Sequence, residues 1–343
     1  MTADKAPRRR GRIRRWWGAV VPDDRAGRIW SAIAVIAVVL AAREALAGPA
    51  VGAFRGSEAM TRYLTAYDEA MRDLPQPQRT LDLRTSYGVV RVYRFQGHND
   101  QQSPLLLLPG TQSGTPVWAD NMPGLLEHRS VYALDLLGEP GKSIQARPIT
   151  SNADKAAWLH EVIDQLPEPH VHVVGLSIGG WTATNLALHQ PDKIVSLTLI
   201  EPVMVFTGLS TEAIVRSIPA SVSWFPKAWR DSFSSWTAGG APVEDVPVAR
   251  MIEAGMQSYQ MAQPGPSRFP DQELHELRVP TLVIVASDSP MHDPDKLVTG
   301  AQQLPNGEVH TYPGTSHAIN GEEPEQLAAD IGSFVDAHEQ PKP

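Results

Sequence analysis

Gly175-Leu176-Ser177-Ile178-Gly179 sets a serine between two glycines, directly after the apolar run Val171 to Val174 and before a helical pattern over Gly179 to His189. A G-x-S-x-G turn between strand and helix lifts the hydroxyl clear of the sheet and aims the next amide, Ile178 N–H, at the same point. The chemistry this suits is nucleophilic attack on a carbonyl. Such a serine needs a base within hydrogen-bond reach and an acid to orient that base. His317 is the candidate base, in a loop after the strand pattern Glu308 to Tyr312. Two acids compete. Asp288 lies just past the run Thr281 to Ala286, and Glu201 ends the run Ile194 to Ile200. Both fall at the carboxyl end of a strand, the edge where open α/β sheets form their sites. We expect Asp288 to be the acid, because an acid on the strand preceding the histidine's strand is the commoner arrangement. Glu201 is the alternative acid. The backbone N–H of Thr111, after Leu105 to Leu108 and Pro109-Gly110, is the second oxyanion donor beside Ile178.

These residues need a scaffold, and the apolar pattern supplies one. Leu81 to Arg84 and Val89 to Phe95 flank Tyr87-Gly88 as a hairpin. Strand patterns at 105–108, 131–134, 171–175, 194–200, 281–286 and 308–312 alternate with helical ones at 152–166, 179–189, 294–304 and 324–338. That alternation predicts a mostly parallel sheet flanked by helices. The stretch 202–270 breaks the rhythm and carries Trp224, Phe225, Trp229, Phe233 and Trp236. It reads as an inserted helical cap, with Trp224, Phe225 and Trp229 as candidate substrate-binding residues for an apolar group. Met251, Met256 and Met261 read as core.

The residues from about Thr80 to His338 resemble the α/β-hydrolase family. Beyond the serine turn, Asp135-Leu136-Leu137-Gly138-Glu139-Pro140-Gly141-Lys142-Ser143 is similar to the family's D-x-x-G-x-G-x-S loop with one residue inserted, and Asp135 reads as its loop-shaping residue. Val279 to Val285 is similar to the strand before the acid, and Ala286-Ser287 and Pro109 depart from the usual glycine and histidine. The resemblance implies the α/β-hydrolase fold, a mostly parallel eight-stranded sheet with a helical cap inserted after the sixth strand. It also implies Ser177, Asp288 and His317 as triad, and hydrolysis of small to medium apolar carboxylic esters through an acyl-enzyme. Carbon–carbon bond or thioester hydrolysis and acyl transfer use the same triad. A non-catalytic membrane-tethered binding protein of this fold is the rival of another class.

Neither a cofactor nor a metal is expected. The 343-residue chain has no cysteine, which excludes thiolate sites and disulfides, and His170 with His172 lack a third ligand. Its net charge of −8 divides unevenly: residues 1–28 carry +6 and the remainder −14, so the acidic body excludes nucleic acid as a partner. The basic residues precede the apolar run Ile29 to Ala42, which points to a catalytic domain outside the cytoplasm. Segment 29–54 reads as a membrane signal-anchor; a signal peptide cleaved after Ala45-Leu46-Ala47 or a helix packed on the body are the alternatives. The expected organisation is a basic segment 1–28, the anchor 29–54, a linker and helical lead-in 55–79, the first core part 80–201, the cap 202–270 and the second core part 271–343.

Overall fold

The computed structural model describes residues 50–339. The chain begins there with β1 (Ala53–Phe54) and α1 (Ser57–Ala70), then the hairpin β2 (Arg79–Thr85) and β3 (Gly88–Phe95). β4 (Leu105–Leu108), α2 (Met122–His128), β5 (Val131–Leu134), the two-residue β6 (Ile144–Gln145) and α3 (Asn152–Asp164) follow. Next come β7 (Val171–Leu176), α4 (Ile178–His189) and β8 (Ile194–Ile200). The helices α5 (Thr211–Ala220), α6 (Lys227–Thr237) and α7 (Pro247–Ser258), then β9 (Tyr259–Gln260) and α8 (Asp271–Leu274), precede β10 (Thr281–Ala286). α9 (Pro294–Ala301), β11 (Gly307–Tyr312), α10 (Ile319–Glu322) and α11 (Pro324–Ala337) complete the described chain.

Eight strands run in the order β11-β10-β8-β7-β4-β5-β3-β2, with β6 added on β3 as a ninth. The pairs along β11-β10-β8-β7-β4-β5 are parallel, and those of β3 with β2, β5 and β6 antiparallel. The composition of the central strands explains their position. All four leucines of β4 are fully buried, as a strand covered on both faces requires. Leu106 and Leu108 face a core with Trp158 of α3 and Trp181 of α4; Leu105 and Leu107 face another with Tyr63 and Tyr67 of α1 and Ile331 of α11. α3 starts where expected, because Ser151 and Asp154 form a reciprocal capping box.

Packing at two of the expected boundaries bears on the site. The segment read as 29–54 ends in folded chain: Gly52 N–H donates to Gln145 Oε1 at 2.8 Å, and β1 pairs antiparallel with β9. Phe54 packs on the rings of Tyr63 and Tyr259. The rest of that segment and the basic residues lie outside the described residues, among which no helix is long and apolar enough to cross a membrane. At the other boundary, α7 falls within 202–270 but packs along α1, with Met251 and Ala254 buried in the core of Tyr63 and Tyr67. Arg62 Nη1 of α1 donates to Gln257 Oε1 at 2.6 Å. Within the expected cap, α7 thus packs on the same core as α1.

Candidate active site

β7 delivers Ser177 to the carboxyl edge of the sheet, at the junction with α4. Its φ of 53° lies in the left-handed region, the strained conformation that this turn imposes on its serine. The flanking glycines follow from the same geometry. A Cβ on Gly175 would meet Gly179 O at 2.3 Å, and one on Gly179 would meet Leu108 O at 2.1 Å. Ile178 opens α4, so its N–H is among the helix's first amides, which have no acceptor inside the helix. Thr111 and Ile178, the two residues expected to supply oxyanion donors, line one cavity with Ser177.

His317 bridges the serine and an acid. Its Nε2 lies 3.0 Å from Ser177 Oγ and its Nδ1 lies 3.0 Å from Glu201 Oε2. A carboxylate only accepts, so Nδ1–H donates to Glu201 and the Ser177 hydroxyl donates to Nε2. Glu201 is fully buried, and its Oε1 accepts the Ala286 N–H at 2.7 Å. Burial alone would raise the Glu201 pKa, but the His292 and His317 imidazoles outweigh burial and hold it at about 2.

Asp288, expected as the acid, is not beside the histidine. The chain turns outward after β10, so Asp288 is exposed; its Oδ1 accepts from Ser287 Oγ at 2.8 Å and its N–H donates to Thr315 O at 3.0 Å. Glu201 follows β8 with φ 48°, while its N–H donates to Ile284 O on β10. That conformation turns its side chain inward to His317. The alternative acid therefore stands where the first choice was expected.

The expected cap residues need a similar correction. Trp224 is 81 % exposed and Trp229 51 %, and Phe225 packs between them rather than against the cavity. The cavity beside Ser177 has a volume of about 370 Å³, with walls that include Leu137, Trp158, Trp181, Phe233 and Met256. Of the three methionines read as core, Met251 is core, whereas Met256 and Met261 line the cavity.

Two charged groups in that cavity were not anticipated. Glu139, within the loop that carries the extra residue, accepts from Thr111 Oγ1 at 3.2 Å and from Gln112 N–H at 3.1 Å. Burial pushes its pKa up to about 7, with the Gln112 amide, Thr111 hydroxyl and Lys155 charge opposing. Lys155 Nζ donates to Pro264 O at 2.7 Å and lies over the Trp181 ring, and burial lowers its pKa. The only sequence signal for either was the insertion at Glu139. Asp135 shapes its loop as read: it accepts from Thr115 N–H, Lys142 N–H and Tyr67 Oη.

His172 is structural. It is buried against Ser196 Oγ, and burial, aided by the Arg129 charge, lowers its pKa to about 4. Glu201, His292 and His317 bring ligand-type atoms within 4.8 Å of one another, a spacing a divalent cation can bridge. In this structure the His317 nitrogens are engaged by Glu201 and Ser177, and Glu201 Oε1 by Ala286.

Residues 105–330 match the model of the alpha/beta hydrolase family, so the chain belongs to that family. Carboxylesterase YbfK of Bacillus subtilis is 26 % identical over 290 residues, 82 % of this chain and 96 % of that protein. The uncharacterized carboxylesterase nap of the same organism is 24 % identical, covering 80 % of this chain and 93 % of its own length. The crystal structure of naproxen esterase from Bacillus subtilis superposes with a TM-score of 0.75 at 23 % identity, over 82 % of this chain and 99 % of that one.

Proposed function

We propose that this protein hydrolyses carboxylic esters, with Ser177 as nucleophile, His317 as general base and Glu201 as the acid that orients it. The observation carrying this reading is the pair of 3.0 Å contacts that His317 makes, one with Ser177 and one with Glu201. The likeness to carboxylesterases over four-fifths of the chain supports the ester as substrate. Ser177 Oγ attacks the carbonyl carbon while its proton passes to His317 Nε2. The oxygen that gains charge accepts from the Thr111 and Ile178 amides. Collapse expels the alcohol with the His317 proton and leaves the acyl group on Ser177. Water then adds with His317 again as base and releases the acid. The largely apolar cavity suits a small to medium apolar group. A fully paired serine, histidine and carboxylate speaks against a binding protein without turnover.

Ser177→Ala tests the mechanism. It should abolish hydrolysis of p-nitrophenyl esters and labelling by a fluorophosphonate, leaving at most ~10³-fold acceleration over water from the oxyanion amides. Activity close to that of the unaltered protein would refute the assignment.

Location rests on other residues. The basic residues 1–28 ahead of the apolar run 29–42 support a body held outside the cytoplasm, by an anchor or after cleavage near Ala47. Ala53 of β1 pairs with Gln260, and the next residue, Met261, lines the cavity. Ile218, 60 % exposed, lines the same cavity. Carbonate extraction of membranes holding the full chain separates the anchored form, which stays in the pellet, from the released one.

A further inference from the structure

His292 is buried to 96 % in the loop between β10 and α9, and neither of its ring nitrogens makes an aligned hydrogen bond. A buried imidazole without partners is costly unless it interacts with a charge. One charge is close: Nε2 lies 3.1 Å from Glu201 Oε2, the oxygen that also receives His317 Nδ1–H. The two imidazoles stand edge to face, with centroids 6.4 Å apart and planes at 82°. Their loop is tied down, because Ser210, ahead of α5, donates its N–H to Met291 O and its Oγ–H to Pro290 O.

We infer that His292 is a positioning residue, which shares Glu201 Oε2 with His317 and so sets the pH below which His317 stops acting as a base. The inference rests on the Ser177–His317–Glu201 reading. Its direction follows from electrostatics. Glu201 stabilises the protonated form of His317, and a second imidazole against the same oxygen draws on the same negative charge, weakening that stabilisation. A protonated His292 would also repel a protonated His317. Both effects act in one direction, keeping His317 neutral, and the site active, to lower pH.

Other charged groups near this loop are directed elsewhere. Asp288 is exposed and bonded to Ser287, and Asp293 caps α9 by accepting from Lys296 N–H. On α5, Glu212 is paired with Arg216. Glu201 and His317 are therefore the titratable groups whose balance His292 alters. In the usual arrangement of this fold an acid would follow β10. Here the acid follows β8, and an imidazole from beyond the end of β10 approaches it.

The test is the pH dependence of kcat/KM for p-nitrophenyl butyrate between pH 5 and 9, using the full chain and its His292→Phe and His292→Gln variants. Phe removes the polar ring nitrogens and keeps the bulk, whereas Gln offers an N–H in their place. The acid-side midpoint should rise by about 0.5–1 unit in His292→Phe, with a loss of ~3–10-fold at pH 6 and a smaller one at pH 8.5. His292→Gln should return the midpoint most of the way. Asp288→Asn, as a control, should leave the profile where it was. An unchanged or lowered midpoint in the Phe variant overturns the inference. So does an equal loss at every pH in both variants, which marks a packing role. Failure of the triad reading is distinguishable, since it would appear as near-full activity in Ser177→Ala and Glu201→Gln.

Discussion

The carboxyl ends of β8 and β10 are neighbours in one sheet, and each carries an acid, yet the two acids live in different environments. Glu201 is fully buried, accepts from Ala286 N–H and His317 Nδ1–H, and titrates near 2. Asp288 is exposed and bonds only to the serine before it through its side chain. A carboxylate within a set of donors is held in one orientation and fixes its partner's tautomer; an exposed one is screened and turns freely. The backbone after the strand makes the difference. Glu201 takes φ 48° and its carboxylate is buried at His317, whereas Asp288, two residues beyond Ala286, is exposed.

The sharpest way to break this contrast is to exchange carboxylate for amide at each end. Glu201→Gln should cut kcat by about 10³–10⁴ with little change in KM, because an amide favours the wrong imidazole tautomer at Ser177. Asp288→Asn should cost less than about twofold, as expected for an exposed surface group. Steady-state kinetics on one p-nitrophenyl ester reads both. A severe effect of Asp288→Asn with a mild one of Glu201→Gln would restore the acid to β10. Glu201→Asp sharpens the point: its side chain is one methylene shorter, so a misplacement of about 1 Å should cost on the order of 10²-fold.

The same contrast explains how much could be read from the residues alone. The eight main strands, the helices that bury them and the serine turn follow from apolar periodicity and glycine spacing, which are local signals. Ser177 and His317 were found because each sits beside a recognisable turn. For the acid, Asp288 is the expectation and Glu201 the alternative, yet nothing local separates them, since both have equivalent positions relative to their strands. What separates them is the path of the next few residues and a contact across 116 positions. His292 and Lys155 lie in unremarkable sequence, and only the fold brings them to the site. The facing of the cap aromatics is illegible for another reason. Aromatic density marks apolar surface without saying which face is turned inward.

Glu139 extends the comparison to a second buried carboxyl, at the other side of Ser177. Its ionised form braces Thr111 and Gln112, and a proton removes one acceptor. With a folded pKa of about 7, above the unfolded value, the brace is complete above pH 7 and is lost as pH falls through it. Stability runs the opposite way: the folded state binds more protons between the unfolded pKa and 7, so ionising this buried group costs stability as pH rises. Glu139→Gln should therefore lower kcat/KM by about 3–10-fold at pH 8 and less at pH 6, the loss of one neutral-to-charged hydrogen bond. Its Tm should rise relative to the unaltered protein at pH 8 by about 3 °C, with no gain at pH 4.5. Calorimetry at the two pH values checks the second sign, and a pH-independent difference would show that Glu139 does not titrate in this range.

The smallest expected effects lie in the cap, where the same distinction applies to aromatic rings. Phe233 lines the cavity, whereas Trp224, four residues beyond the end of α5, is 81 % exposed. Burying a ring's worth of apolar surface against a ligand is worth ~1–2 kcal/mol, which a truncation loses only where the ring meets the ligand. Phe233→Ala should raise KM for p-nitrophenyl hexanoate by about 3–10-fold and for the acetate by less than twofold, since only the longer chain reaches across the cavity. Trp224→Ala should change neither KM beyond about 1.5-fold, as for a surface substitution away from the site. Measuring both esters with both variants gives four ratios, and the pattern decides. If Trp224→Ala weakens the hexanoate as much as Phe233→Ala does, the cap folds inward when substrate binds, and its outer aromatics then belong to the pocket after all.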